Sequence, residues 1–529
     1  MTPASLNIFA SRLNAVCDEM GLVLRNAAFS PNIRDRLDFS CAVFDAAGEL
    51  CAQAAHIPVH LGSMAFATRD IVQRFDWQDG DQVLFNDPFL GGTHLPDVTV
   101  IAPVFVDREL RGFVANRAHH ADIGAGSPGS MPVSASLDEE GVVISPTRLM
   151  KAGKRVEAVY RQLVGATRNP QESAGDFAAQ LGANRAGVAR LIALIKATGE
   201  QAFAQGLRSL NAYGERLARE MIRSIPTGSY RYVDVLDDDG QGSRDIPVAV
   251  TLRIAAETVE VDFDGTAPQM PGNVNCPLAV AAAAVYYVFR CLMLPQTPAC
   301  AGTFRPIRLT AAQGSLVNAS KPAAVAAGNV ETSTRIVDAV LGALAKAVPE
   351  KIPAASHGSM NNVALGSAAR GASWDYYETI GGGMGAGALG GGMHGIQTHM
   401  TNTLNTPVEV LESRFPLRVR RYLLRRGSGG LGRRCGGDGL VREFEFTAPT
   451  HYTLLTERRA HAPWGLAGGR DGARGRNLKN GTELPAKCEG EAGPGDRLTI
   501  ETPGGGGYGS GDAGGGGKHR HAAASSDGG

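Results

Sequence analysis

Residues 86–122 constrain the fold more than any other part of this chain. Residues 98–106, VTVIAPVFV, are β-rich and mostly apolar. The polar DREL of residues 107–110 reads as a turn, and RGFVANRA, residues 111–118, can run back as a second strand. If this hairpin forms, the residue before the first strand lies beside the residue after the second. One register sets Asp97 opposite His119 on the same face, with Cβ atoms about 5 Å apart. A slip of one residue would pair Asp97 with His120 instead. His94 stands three residues before Asp97, in the glycine-led loop NDPFLGGTHLPD, and RAHHAD supplies His119, His120 and Asp122. Two imidazoles and one carboxylate then converge and leave coordination positions open. That ligand set suits zinc, manganese or ferrous iron. The competing reading, ordinary polar residues at strand ends, accounts for any one of these histidines alone. The gathering of all of them at the ends of one hairpin favours a divalent-metal site.

Several further motifs stand in order along the chain: RDRLDFSCAVFDAAGELCAQAAHIPVHLGSM from Arg34, GNVNCP from Gly272, AAGNVETSTRIVDAVLGAL from Ala326 and YYETIGGGMGA from Tyr376. THMTNTLNTPVEVLE from Thr398, PWGLAGG from Pro463 and PGGGGYG from Pro503 complete the series. Together with NDPFLGGTHLPD and HHADIGAGSPGSMP, these motifs resemble the hydantoinase B/oxoprolinase family over nearly the whole chain. The resemblance implies a subunit of an ATP-dependent hydrolase of cyclic amides (5-oxoproline, hydantoins or lactams). The family also includes subunits of acetone and acetophenone carboxylases, in which the residues matching His94, Asp97 and His119 hold the catalytic metal. Asp38, within the first motif, becomes a further ligand or a partner of one, or else a plain turn residue at a strand start. Nucleotide binding belongs in such enzymes to a hydantoinase A-type partner, so a hetero-oligomer is implied, with ATP bound by the partner.

Composition sets the remaining bounds. At 529 residues the chain exceeds one typical core, and two or three lobes are expected within residues 1–510. Lys plus Arg equals Asp plus Glu, 52 against 52, which gives no general electrostatic case for nucleic acid or an anionic membrane. Eight scattered cysteines without a CxxC pair fit a reducing compartment. No signal peptide or membrane-spanning run is evident, so a cytoplasmic protein is expected. Residues 511–529 are polar and low in complexity, and are expected to be disordered.

The pattern predicts an α+β fold without regular βαβ alternation. Helices are expected over residues 1–30, 170–220, after GNVNCP, and over 332–347 with Thr332 or Ser333 as N-cap. A hairpin is expected over 38–53, strands over 230–263, and further strands at LVREFEF and HYTLLTER. The 68 glycines cluster from Gly381, Gly427 and Gly504, and the first two clusters read as structural or active-site loops. None matches GxxxxGK[ST], so no phosphate loop is assigned, and no GxSxG elbow supports a serine hydrolase.

Other side chains carry weaker signals. Cys41 and Cys51 read as buried structural thiols. Glu331, in GNVETS, and Glu378, in YYETIGGG, are each a general base or ligand partner, or equally a helix cap or arginine partner. His394 and His399 are loop contributors at most. His120 or Asp122 would orient a ligand or move a proton. Near Arg426 and Arg433 the chain departs from the family's RDSGG and GRYRGGDG, which bears on specificity, and its length falls on the amide-hydrolase side. The resemblance implies that ATP activates the amide carbonyl in the partner and that water opens the ring here. The alternatives are ketone carboxylation, a non-catalytic structural subunit, and a lone non-haem iron oxygenase.

Overall fold

The hairpin forms in the expected register. In the computed structural model, which describes residues 2–55, 57–369 and 373–511, β4 (Asp97–Val106) and β5 (Glu109–His119) pair antiparallel with Asp97 facing His119. The turn is tighter than DREL suggested. Asp107 and Arg108 both take positive φ, at 49° and 67°, the two-residue geometry that matches strand twist. A bulge between Val104 and Phe105 absorbs the odd residue and lets Glu109 and Leu110 join the strand.

This hairpin is the middle of a seven-stranded sheet. With β1 (Phe39–Asp45), β2 (Leu50–Ala55), β3 (Gln82–Phe85), β6 (Thr147–Lys151) and β7 (Lys154–Arg155), the order is β2-β1-β5-β4-β3-β6-β7. Both faces are covered. Phe39, Cys41 and Val43 pack under helices Pro3–Ala27 and Pro170–Thr198, whereas Ala42 and Phe44 pack against helix Pro58–Val72. Burial on both faces explains why these strands read as apolar runs without alternation. A four-stranded sheet built on Gly228–Asp238 and Arg244–Ile254 packs with helices Leu278–Leu292 and Ser333–Leu344 in a second core. Two further sheets, of four and five strands, hold Trp374–Glu378 and Leu417–Arg425. The fold is α+β.

Three expectations need correction. The helix over 170–220 is two helices, broken at Gly199 with φ 82°, where a side chain would be strained. Neither Thr332 nor Ser333 caps its helix, because a π-helical turn, Gly328–Thr332, leads straight into it and Thr332 bonds the Val274 carbonyl instead. Leu417–Arg425 is a strand that the sequence did not announce.

The glycine clusters are structural loops, as expected, and their backbones lie side by side and bond one another: Gly430 N–H to Gly505, Gly505 to Gly437, Gly437 to Met384, each within 2.9 Å. A Cβ on Gly383 would stand 1.9 Å from the Gly437 carbonyl oxygen, and one on Gly436 2.0 Å from that of Gly505. Only chains without side chains can pack this closely, so Gly383, Gly430, Gly437 and Gly505 belong to a buried backbone layer. Apart from Gly511, the tail expected to be disordered lies outside the described residues.

Candidate metal centre

The loop before β4 is fastened at both ends. Asn86 donates to the Leu95 and Val142 carbonyls at 2.8 and 2.9 Å, and its own side-chain carbonyl takes the Ile144 N–H. Arg117, wholly buried on β5, donates to Thr99, Ser63 and the Gly91 carbonyl at 2.7, 2.7 and 2.9 Å. Gly91 turns with φ 104°, and a Cβ on Gly92 would lie 2.2 Å from the Asn86 carbonyl oxygen. Asn-Asp-Pro-Phe-Leu-Gly-Gly thus encodes one tight, preset turn that delivers His94 to the start of β4.

There His94, Asp97 and His119 form a buried group whose ligand atoms all lie within 4.8 Å of one another. His94 Nδ1 faces the Ala326 carbonyl at 3.3 Å, which makes it the N–H and leaves Nε2 as an acceptor. That Nε2 stands 3.1 Å from Asp97 Oδ1 and has no hydrogen-bond partner among the described residues. His119 Nδ1 is 3.2 Å from the same oxygen, and its Nε2 also lacks a partner. The other carboxylate oxygen, Oδ2, is tied down by Thr93, His60 and Asn329 at 2.7, 3.2 and 3.3 Å. Two imidazole nitrogens without partners, beside a carboxylate oxygen that has only His119 Nδ1, are what a divalent cation would satisfy. The adjoining cavity, about 20 Å³, has room for one ion or one water.

Without a cation, the charges in this pocket favour an ionised Asp97 and a protonated His94. Burial alone would raise the Asp97 carboxyl, but His94, His60 and the hydrogen bond from His119 hold it well below the carboxylate range. Burial works against charge on His94, yet Asp97 carries it above its ordinary value; for His119 burial wins and the imidazole is pulled down.

Each ligand is oriented from behind. Glu140 accepts from the N–H groups of Val325 and Ala326 at 2.8 and 2.9 Å, which aims the Ala326 carbonyl at His94. His60, on helix Pro58–Val72, bridges Asp97 and the Ser40 hydroxyl, 3.2 Å from each. Tyr377 stacks on His119 with centroids 4.8 Å apart, and its hydroxyl donates to Asn362, which donates to Glu331, both at 2.7 Å.

Sequence-derived candidates divide into those that meet and those that do not. His94, Asp97 and His119 come together, and Asp38 lines the same cavity beside Thr379, Thr401 and Thr403 without joining the cluster. Glu331 reaches the site only through Asn362 and Tyr377; burial, then the nearby Glu457, pushes its carboxyl up to about 7. His120 points to the opposite sheet face, where it bonds Gln180 at 3.0 Å and packs on Phe177. Strand alternation makes this unavoidable once His119 faces inward. Asp122 caps a turn at Gly124 and pairs with Arg168. Glu378 is bound to Arg442, Tyr376 and Asn405, away from the cavity. His394 and His399 do not line it either. Sequence reasoning missed His60, Asn329, Tyr377 and Glu140, although the first three lie within the family motifs. Cys41 and Cys51 are buried as expected, and burial raises both thiols.

Fold and site together define a mixed α+β protein with a buried histidine–carboxylate cluster that could hold a metal ion. The chain belongs to the hydantoinase B/oxoprolinase family, whose model matches residues 2–511. It is 39% identical over 532 residues to 5-oxoprolinase 1 of Arabidopsis thaliana, covering 95% of this chain but only 41% of that protein. It is 31% identical to a Pseudomonas sp. (strain NS671) protein named as one of the subunits of a D-/L-hydantoinase, with 95% and 89% covered. The crystal structure of the ATP-dependent caprolactamase from Pseudomonas jessenii superimposes with a TM-score of 0.89 at 27% identity, over 96% of this chain and 91% of that one. Among the described residues no helix is long and apolar enough to cross a membrane.

Proposed function

We propose that this chain is the metal-containing subunit of an ATP-dependent hydrolase that opens a cyclic amide such as 5-oxoproline, a hydantoin or a lactam. A hydantoinase A-type chain would bind ATP and complete the enzyme. Three things support the reading: the family, a relative named as a hydantoinase subunit, and a similar structure named as an ATP-dependent caprolactamase. The observation that carries it is the gathering of His94, Asp97 and His119 ligand atoms within 4.8 Å of one another, with Nε2 of both imidazoles unpartnered among the described residues. A zinc, manganese or ferrous ion held there supplies Lewis acidity at the end of the hairpin.

The chain's own groups then have separate tasks. Asp97 would offer Oδ1, which has only His119 Nδ1 as a hydrogen-bond partner, while Thr93, His60 and Asn329 hold Oδ2. His94 presents Nε2 because Ala326 takes the Nδ1 proton. Tyr377 fixes the plane of His119. Asp38 faces the cavity as a further oxygen donor. Glu331, with its carboxyl near 7 and Oε2 unpartnered, is poised to hold or release a proton behind Tyr377.

If activation by ATP happens on the partner and ring opening here, damage to this site should uncouple the two. Asp97→Ala assembled with the partner should keep substrate-stimulated phosphate release while forming little ring-opened product. A variant that folds, assembles and makes product at the wild-type rate would leave Asp97 a structural residue and favour a non-catalytic subunit.

A further inference from the structure

Arg36 sits just before β1 and is completely buried. Its guanidinium lies over the Tyr377 ring, 4.8 Å from the centroid, and that ring also stacks on His119. Only Nη2 has hydrogen-bond partners, the Thr379 and Thr403 hydroxyls, each at a long 3.4 Å. Nε and Nη1 have none, and the Asp38 carboxylate is 3.8 Å from Nη1. Asp38, Tyr377, Thr379 and Thr403 all line the metal cavity. A buried guanidinium whose donors are so poorly met is costly, and it persists where a ligand completes it.

The surroundings say where that ligand would come from. Thr403 faces the cavity, whereas the next residue, Leu404, is 53% exposed and its N–H bonds the Arg36 carbonyl at 3.1 Å. Here the chain passes from the cavity lining to the exposed surface within one residue, and Arg36 lies behind that lining. A cavity of about 20 Å³ cannot hold a ring, so a cyclic substrate needs the lining to move.

We propose that Arg36 binds an oxyanion, a carboxylate or phosphoryl group, on the molecule acted on at the metal cavity. The inference rests on the proposed metal site for what lies next to that oxyanion. The planar fork of Nε and Nη1 suits two oxygens of one such group, and Asp38 is the countercharge until it arrives. Thr379 and Thr403 are the neutral donors that complete the cradle.

The test uses full-length wild type, Arg36→Lys and Arg36→Met loaded with Mn²⁺. Metal content is measured first, and inorganic phosphate and acetate are then titrated by calorimetry. Wild type should bind at least one of these anions, Arg36→Lys at least tenfold more weakly, and Arg36→Met not measurably, with Mn²⁺ content equal in all three. Tighter phosphate than acetate points to a phosphoryl group, and the reverse to a carboxylate. Wild-type affinity for both anions in Arg36→Lys overturns the proposal, whether or not Arg36→Met folds. So does failure of wild type to bind either. Arg36-dependent anion binding by protein that takes up no Mn²⁺ would sink the metal reading while leaving this one standing.

Discussion

Replacing Asp97 with asparagine keeps the shape of the side chain and removes one oxygen and the charge. Asp97 Oδ2 receives Thr93, His60 and Asn329, so an amide NH₂ placed there would meet donors. Turned the other way, the NH₂ meets His94 Nε2, 3.1 Å from the present Oδ1, and fills the position a cation would use. Neither orientation restores the anionic ligand. A four-ligand zinc site is worth roughly 10–16 kcal/mol, so one ligand's share is about 3 kcal/mol, or on the order of 10²-fold in affinity. Chelator-competition titrations of zinc or manganese into wild type and Asp97→Asn would read this directly, with circular dichroism as the folding control. Metal affinity within threefold of wild type, in a folded variant, would refute the assignment of Asp97 as a ligand.

Further outcomes rest on the same geometry. Gly383→Ala drives a Cβ to 1.9 Å from the Gly437 oxygen, so the glycine layer must part and forfeit several backbone bonds, at roughly 1 kcal/mol each. Its denaturation midpoint should fall clearly, whereas Gly390→Ala, with nothing within 4 Å, should match wild type; equal midpoints for both would discredit the close-packed layer. The Asp237 carboxyl, which burial raises but the N–H groups of Ala460 and Arg459 and the charge of Arg335 lower, sits at about 2 against an ordinary 3.8. Being depressed in the folded state, it contributes about 2 kcal/mol that is present above pH 4 and lost as the pH falls towards 2. Urea unfolding of wild type and Asp237→Asn should therefore differ more at pH 5 than at pH 2.5, and a constant difference would contradict the shift.

The hairpin that brings Asp97 to His119 was legible because its evidence is local. Apolar strand residues, a polar turn and flanking imidazoles lie within one short stretch, and antiparallel pairing then forces Asp97 against His119. Its surroundings were not legible, because those contacts join distant segments. His60 comes from a helix behind the sheet, Asn329 from a π-turn, and Tyr377 from another sheet, and nothing in their local sequence says which strand end they meet. His120 misled for a local reason, since adjacent strand residues face opposite ways. The mutual packing of the glycine loops was not legible because backbone contacts leave no hydrophobic period to read, and the break at Gly199, with its positive φ, fell inside one expected helix.

The most direct measurement of the central claim is elemental analysis of the purified protein beside a variant with His94, Asp97 and His119 all changed to alanine. The account predicts close to one divalent transition metal per wild-type chain and its loss from the folded triple variant. Equal metal in both proteins, or none in wild type after incubation with zinc, manganese and ferrous iron, would contradict it.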